Sequence, residues 1–200
     1  MSPIADMFKR IMKQACRRRV EKEEVRRVAE IKQLCGGYIT LLDIGSAGGI
    51  EPRWRSCRSQ VRYIGVEPDS RSSAALLESS EAKLFAEYRI VPMAVWDKND
   101  SVTLNFCRKP MVSSHFMPRR DFVSRYPLSD RFDVLSSASM SCQTIDKVLS
   151  TNSSPCDFIK LDIHGGELAV LQGAESTLKQ CLGLEIEIEF LRIYEDQPVY

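Results

Sequence analysis

The hydrophobic pattern from residue 37 onward consists of short apolar runs separated by longer polar or helix-forming stretches. Runs of this kind, rich in β-branched and aromatic residues, are typical of strands. Strands that alternate with helical stretches favour βαβ units and a largely parallel sheet. The sequence therefore predicts a doubly wound, mostly parallel α/β domain over residues 38–200, with strands at 38–44, 62–66, 88–95, 102–106, 158–163 and 184–190.

The first part of the chain has a different pattern. Apolar residues recur every three or four positions, which predicts an amphipathic helical segment over residues 1–37 that ends at a Gly-Gly pair. Residues 70–86 and 167–180 are also suited to helices. The stretch 107–141, rich in Ser, Pro and Arg, predicts a long irregular insertion of the kind that often forms a lid or a binding loop.

Charge is distributed unevenly along the chain. Residues 1–32 carry ten Lys and Arg against five Asp and Glu, although the net charge of the whole chain is only +1. The basic face of residues 1–35 could contact the surface of a membrane, and a solvated helix face is the alternative. Because no aromatic residues are interleaved with the basic ones to stack on bases, we expect no nucleic-acid partner.

Cysteine usage and hydropathy indicate the compartment. The seven cysteines are scattered and include no C-x-x-C pair, so we predict neither a disulfide framework nor a metal site. The sequence has no apolar run long enough for a transmembrane segment and no apolar core of a signal peptide. We therefore expect a cytoplasmic protein with reduced thiols.

The most informative motif joins an apolar strand to a glycine-rich turn, Leu41-Leu42-Asp43-Ile44-Gly45-Ser46-Ala47-Gly48-Gly49. Glycine lets the backbone approach a ligand without a Cβ, and free N–H groups in the turn can bind a carboxylate or a ribose oxygen. We take Asp43, Gly45, Ser46 and Gly49 as candidate cofactor-binding residues. A tight turn without a ligand is the alternative. The spacing D-x-G-x-x-x-G differs from the G-x-G-x-x-G of dinucleotide enzymes.

Acidic residues follow the second and third predicted strands. Glu67 lies 22 residues after Gly45 and is followed by Pro68. This placement suits hydrogen bonds from both ribose hydroxyls of a nucleotide, whereas a surface acid that caps a turn is the alternative. Asp97, after the third predicted strand, is the candidate partner of the exocyclic amine of an adenine ring.

Polar residues also surround the Gly-Gly turn that follows the strand at 158–163. Alternation along the strand should place Asp162 and His164 on the same side, and a carboxylate beside an imidazole is a plausible general base for a hydroxyl. Alternatively, Asp162 caps the following helix and His164 is an ordinary loop residue. Glu167 follows the same turn and is a weaker candidate for contact with the substrate.

Two further residues are weak candidates for contact with a substrate. Glu187 lies on the acidic face of the last predicted strand, which is either a solvent face or part of a substrate pocket. Ser114 lies in the long insertion, where its hydroxyl could bind a polar group of the substrate. A flexible loop is the alternative for that segment.

Together these motifs resemble the FkbM family of methyltransferases. The resemblance covers residues 38–200 and rests on the glycine motif, 64–69, the Ser113-Ser114 pair, 144–149, 157–167 and 187–200. It implies a seven-stranded, class I Rossmann-like sheet with S-adenosylmethionine as the methyl donor. It also implies O-methylation of a hydroxyl on a sugar or a natural-product scaffold. On this reading, Asp162 and His164 are the candidate catalytic pair.

The sequence departs from the family pattern in two places. Family members resemble D-V-E-G where this chain has Asp162-Ile163-His164-Gly165, which puts the acid/base or metal chemistry at that position in doubt. The family also continues past the segment at 193–198 into a helix and a final pair of antiparallel strands. We therefore expect a chain shortened at its C-terminus, with homodimerisation along the exposed sheet edge as the alternative.

Two other functions compete with a methyltransferase that acts on a small-molecule or glycan acceptor. One is a non-catalytic binding module that keeps the cofactor pocket and docks through its basic N-terminal helix. The other is a nicotinamide-dependent oxidoreductase, against which the spacing of the glycine motif argues. Fold alone does not decide among them, because Rossmann-like sheets support many activities.

Overall fold

The computed structural model describes residues 26, 29, 30, 33, 34, 36–150 and 156–199. Its strands are β1 (Ile39–Ile44), β2 (Val61–Val66), β3 (Glu87–Val91), β4 (Ala94–Val95), β5 (Asp100–Cys107), β6 (Val134–Gln143), β7 (Phe158–Leu161) and β8 (Gly183–Ile186). Its α-helices are α1 (Pro52–Arg55), α2 (Ser70–Leu77), α3 (Arg120–Val123), α4 (Ile145–Ser150), α5 (Glu167–Gln172) and α6 (Glu175–Leu178).

Five strands form a central sheet in the order β3-β2-β1-β7-β8, and every neighbouring pair is parallel. The chain winds outward from β1 to β3 and then returns to the other side of β1 through β7. The strand order therefore reverses between β1 and β7, and ligands of open α/β sheets bind at the carboxyl ends of the strands at such a point. The predicted Rossmann-like α/β fold is confirmed.

Hydrophobic clusters cover both faces of this sheet. Leu42 and Ile44 of β1 belong to a cluster that includes residues of α4 and α5, whereas Leu41 belongs to a second cluster that includes Leu76 of α2. All six residues of β1 are buried. Because helices pack on both faces, four of its six residues are large and apolar and the run does not alternate, which made it recognisable in the sequence. Thr40 and Asp43 are its two buried polar residues.

A second sheet, of order β4-β6-β5, contains the main departure from the sequence prediction. The irregular insertion predicted over 107–141 is wrong from residue 134 onward, where β6 pairs antiparallel with β5. Only Cys142 of its ten residues is buried. A serine-rich strand that buries so little surface has no regular repeat of apolar residues in its sequence. Its backbone hydrogen bonds with β5, and not a side-chain pattern, therefore fix it as a strand.

The boundaries of three other predicted strands also differ. The strand predicted at 158–163 is shorter, since β7 ends at Leu161. The run at 88–95 is divided between β3 and β4, which belong to different sheets, because Pro92 interrupts it and cannot donate to a ladder. The last predicted strand is shorter than expected, since β8 ends at Ile186.

The predicted N-terminal segment lies almost entirely outside the described residues. Five of its residues are described as helical: Arg26, Ala29, Glu30, Gln33 and Leu34. They are followed by Gly36 and Gly37, which both have positive φ. The division at residue 37 remains a prediction. In the part of the chain that the structure describes, no helix has the length and apolar composition required to cross a membrane.

The carboxyl ends of β1 and β7 approach closely at Gly45. Its backbone is left-handed, with φ 79° and ψ 49°, and its N–H donates to the Val66 carbonyl at 3.0 Å. A Cβ built at this position would lie 1.9 Å from the Asp162 carbonyl oxygen. Glycine is therefore required at position 45 for two reasons: the Asp162 carbonyl leaves no room for a Cβ, and the backbone is left-handed.

We expect Gly45→Ala to destabilise the fold more than Gly36→Ala does. Both glycines have positive φ, 79° and 66°, but a Cβ at Gly36 meets nothing within 4 Å. The left-handed conformation costs about 1–2 kcal/mol in each variant, and overpacking at Gly45 adds about 1–3 kcal/mol. Urea denaturation measures the difference, and equal losses of unfolding free energy would contradict the close approach.

Candidate functional site

A cavity of about 250 Å³ lies between the glycine turn and the end of β7. Gly45, Gly48 and Gly49 line one side, and Lys160 and Asp162 line another. The turn itself is a 3-10 helix over Ser46–Gly48, closed by a hydrogen bond from the Gly49 N–H to the Ser46 carbonyl at 2.8 Å. The structure thus brings together two motifs that are more than 100 residues apart in sequence, at the reversal of strand order.

Glu67 lies at the end of β2, beside this turn. Its side chain is buried, and Oε1 accepts a hydrogen bond from the Asp69 N–H at 2.8 Å. Burial raises the pKa of Glu67 to about 7, although backbone N–H groups of Asp69 and Ala47 oppose the shift. The contact with Ala47 joins the carboxylate to the glycine turn, and Pro68, which follows Glu67, is half-buried.

Asp43 and Ser46 are buried beneath the cavity. The Tyr63 hydroxyl donates to Asp43 Oδ2 at 2.8 Å, and Lys160 Nζ lies 3.3 Å from Asp43 Oδ1. Burial raises the pKa of Asp43, against the effects of Lys160 and Tyr63. Oδ2 of Asp43 thus has a hydrogen-bond donor, whereas Oδ1 has the ion pair with Lys160 but no hydrogen bond.

Lys160 connects the two strands on either side of the strand reversal. It is buried, and Nζ lies 3.3 Å from Asp43 Oδ1 and 3.3 Å from Asp162 Oδ2. Burial disfavours its charged form, but attraction to the two carboxylates outweighs burial and raises the pKa of Lys160. The ammonium therefore remains charged at neutral pH and holds Asp43 and Asp162 together.

Asp162 and His164 lie close together, with Asp162 Oδ1 3.8 Å from His164 Nδ1. Both follow the end of β7 at Leu161, and His164 is left-handed with φ 60°, so the turn and not strand alternation brings them together. His164 has a closer carboxylate partner in Glu187, whose Oε2 is 2.9 Å from Nδ1. Burial and a hydrogen bond with Glu187 raise the pKa of Asp162, although Lys160 opposes them. The hydrogen bond with His164 in turn lowers the pKa of Glu187.

Both ring nitrogens of His164 face oxygen atoms. Nδ1 lies near Glu187, and Nε2 lies 2.7 Å from the Met111 carbonyl oxygen. Burial disfavours a charged ring, but Glu187 and Glu189 outweigh it and raise the pKa of His164 to about 10. The ring is therefore protonated at neutral pH and cannot act as the proton acceptor there.

The polar groups of Glu167 and Ser114 are used within the protein. Glu167 is buried and accepts from the Ile163 N–H at 2.9 Å and the Gly165 N–H at 2.7 Å, which stabilises the turn after β7. The Ser114 hydroxyl donates to the His164 carbonyl at 2.9 Å. Their predicted contacts with a substrate remain predictions, and these hydrogen bonds support a structural role.

Asp97 is not brought together with the other candidates. It is exposed after β4, and its Cα lies 3.3 Å from a Cβ built at Gly173, at the C-terminal end of α5. Within the described residues, no hydrogen bond or ion pair joins Asp97 to the glycine turn or to Glu67. Its predicted contact with an adenine ring remains a prediction.

The site also contains the donor types that bind metal ions. One ligand atom from each of Asp162, His164 and Glu187 lies within 4.8 Å of the others. A histidine ligand needs a free lone pair on a ring nitrogen, which the imidazolium form favoured by the neighbouring carboxylates lacks. In that form the three residues do not bind a metal ion through His164.

A family model described as the Methyltransferase FkbM domain matches residues 43–200. The chain belongs to the FkbM methyltransferase family. Comparison with curated proteins and with solved structures gives no match. The matched part of this FkbM domain contains the glycine turn, Glu67 and the cluster at the end of β7.

Lys160 and Met111 are among the residues that line the cavity of this FkbM domain and that sequence reasoning missed. A lysine within the apolar run Phe158-Ile159-Lys160-Leu161 is a detectable signal, because a buried lysine requires a partner. Met111 had no such signal, since its position depends on the path of the loop. Glu187 and Glu189, from the acidic face predicted for the last strand, do lie at the site. Their observed partner is His164.

We expect Lys160→Met to lower the unfolding free energy by about 3–5 kcal/mol, because it leaves buried carboxylates without a counter-ion. Lys98→Met is the matched control, since Lys98 also lies 3.3 Å from a carboxylate, that of Asp100, but both side chains are exposed. Exposed pairs contribute about 1 kcal/mol or less. Chemical denaturation at pH 7 measures both losses, and similar values would contradict the bridging role of Lys160.

Proposed function

We propose that this FkbM methyltransferase transfers a methyl group from S-adenosylmethionine to a hydroxyl of a sugar or natural-product acceptor. The observation that carries the proposal is the cavity at the strand reversal, which has the glycine turn on one side and Asp162 on the other. Glu67 lies at the neighbouring strand end, where a nucleotide ribose is bound in sheets of this type.

The residues present fit this cofactor. The left-handed Gly45 and the turn at Ser46 and Gly49 would hold its amino-acid end, and Glu67 and Pro68 would hold its ribose. The cavity is also lined by Glu51 and Arg55, besides Lys160 and Asp162, so charges of both signs are available to an ammonium and a carboxylate group. When bound, the cofactor supplies a methyl group on a positively charged sulfonium.

Asp162 is the proposed proton acceptor for the acceptor hydroxyl. It lines the cavity, and its raised pKa makes it a better base than an ordinary aspartate. Lys160 fixes the position of one carboxylate oxygen at 3.3 Å. His164, the second residue of the predicted catalytic pair, acts beside Asp162 as a cation. Alignment of the two reactants would supply most of the rate enhancement.

A reducing, cytoplasmic location is part of the proposal. None of the five cysteines in the described part of the chain forms a disulfide. The alternative function, docking of a non-catalytic module on a membrane or partner through residues 1–35, concerns a segment that lies almost wholly outside the described residues. That alternative and homodimerisation remain predictions, and no observation at the site favours either.

We expect Glu67→Gln to weaken binding of S-adenosylhomocysteine about ten- to hundredfold, because a charged hydrogen bond contributes about 1.5–3 kcal/mol. Calorimetry measures the dissociation constant, with the exposed Glu78→Gln as control.

Because the pKa of Glu67 is raised to about 7, the ionised form increases from pH 6 to pH 8. Affinity should rise over this interval in the wild type and stay constant in Glu67→Gln. Unchanged affinity in the variant would contradict the ribose assignment.

We expect Asp162→Asn to lower the rate of methyl transfer about 10²- to 10⁴-fold, the usual contribution of a general base. The assay measures S-adenosylhomocysteine released with a panel of sugar and natural-product alcohols. Affinity for S-adenosylhomocysteine should change by only a few-fold, and the exposed Asp130→Asn should retain full activity. A variant with the wild-type rate would exclude Asp162 as the base.

A further inference from the structure

His164 joins the end of β7 to the segment Pro110–Ser114. Its Nε2 lies 2.7 Å from the Met111 carbonyl oxygen, and its own carbonyl accepts from the Ser114 hydroxyl at 2.9 Å. It is held in the left-handed conformation, with φ 60°. A single residue therefore contacts both ends of this segment, which includes the 3-10 helix Pro110–Val112.

The contacts of the ring define its protonation. A backbone carbonyl accepts hydrogen bonds but cannot donate them, so Nε2 must carry a proton. An ionised carboxylate such as Glu187 is likewise an acceptor only, so Nδ1 must carry a second proton. With Glu187 ionised, both nitrogens donate and the ring is an imidazolium.

Charged groups from each neighbouring element favour that cation. Asp162 approaches from the end of β7, and Glu187 and Glu189, which follow β8, lie 2.9 and 3.7 Å from Nδ1. Tyr194 from the C-terminal segment stacks on the ring, with centroids 5.8 Å apart. Lys160, a second cation in this cluster, is paired with Asp162.

The segment that His164 holds forms a wall of the cavity. Met111 lines the cavity, and a Cβ built at Gly48 would lie 3.0 Å from Met111 Cε. The Tyr194 hydroxyl donates to the Val112 carbonyl at 2.9 Å and contacts the same segment. Movement of this segment would therefore change the space above the glycine turn.

We infer that His164 is a positioning residue, whose imidazolium ring ties the segment Pro110–Ser114 to the ends of β7 and β8 and so sets the wall that Met111 forms over the glycine turn. The inference rests on the proposed function only for the identity of the ligand that occupies the cavity. In this inference His164 acts as a positioning cation and not as the acid or base that the sequence suggested.

The first experiment determines the protonation of His164 in the wild-type protein by ¹H–¹⁵N NMR of the histidine rings. The chain has only two histidines, so His115→Gln identifies the signals. We expect both ring nitrogens of His164 to be protonated at pH 8. Glu187→Gln should lower the pKa of His164, whereas Glu185→Gln should not, because Glu185 pairs with Arg53 at 2.9 Å instead. A neutral His164 ring at pH 8 would overturn the inference, and this result does not depend on any ligand.

The second experiment measures hydrogen exchange of the peptide 107–117 and affinity for S-adenosylhomocysteine at pH 7. We expect His164→Gln to increase amide exchange in this peptide at least tenfold and to weaken binding at least tenfold, with Glu185→Gln unchanged in both. Unaltered exchange in a folded His164→Gln would overturn the tie between His164 and the segment. Faster exchange with unaltered affinity would overturn the role of the segment as a wall. If His164→Gln exchanges faster but the wild-type protein does not bind S-adenosylhomocysteine, the contact between His164 and the segment is supported and the proposed function is contradicted.

Discussion

The functional edge of this FkbM domain depends on the buried ammonium of Lys160. Strands β1 and β7 place Asp43 and Asp162 close together at the reversal of strand order, and two carboxylates in so little water repel each other. Lys160, 3.3 Å from each, converts that repulsion into attraction. The close approach of Gly45 to the Asp162 carbonyl occurs at the same junction. The cavity therefore exists where charge pairing and backbone packing reinforce each other.

The sequence predicted the parts of the structure that follow from local pattern. Strand β1 is buried on both faces and so is mostly apolar without alternation, and Glu67 follows β2 at the expected distance from the glycine turn. Strand β6 was missed because its serine-rich residues bury almost nothing. Pattern also could not show that Pro92 passes the chain from one sheet to another.

The sequence predicted that Asp162 and His164 lie close together, but strand alternation, the reason for that prediction, does not hold because β7 ends at Leu161. The partners of the His164 ring, Met111 and Glu187, were not predicted. These residues come from elements distant in sequence, whose approach is a property of the fold. Four carboxylates, those of Asp43, Asp162, Glu187 and Glu189, surround two cations in this cluster. When all four are ionised the cluster is net negative, which suits a positively charged sulfonium.

The C-terminal segment has a practical consequence for handling the protein. The Gln197 amide oxygen accepts from the backbone N–H groups of Ile193 and Tyr194, and the Tyr194 hydroxyl reaches Val112. Gln197 is fully buried. Proteolytic cleavage between Tyr194 and Gln197 would therefore release the acceptor of two backbone N–H groups and loosen the contact of Tyr194 with Val112. A preparation should be checked for an intact segment 193–197 before its cavity is assayed.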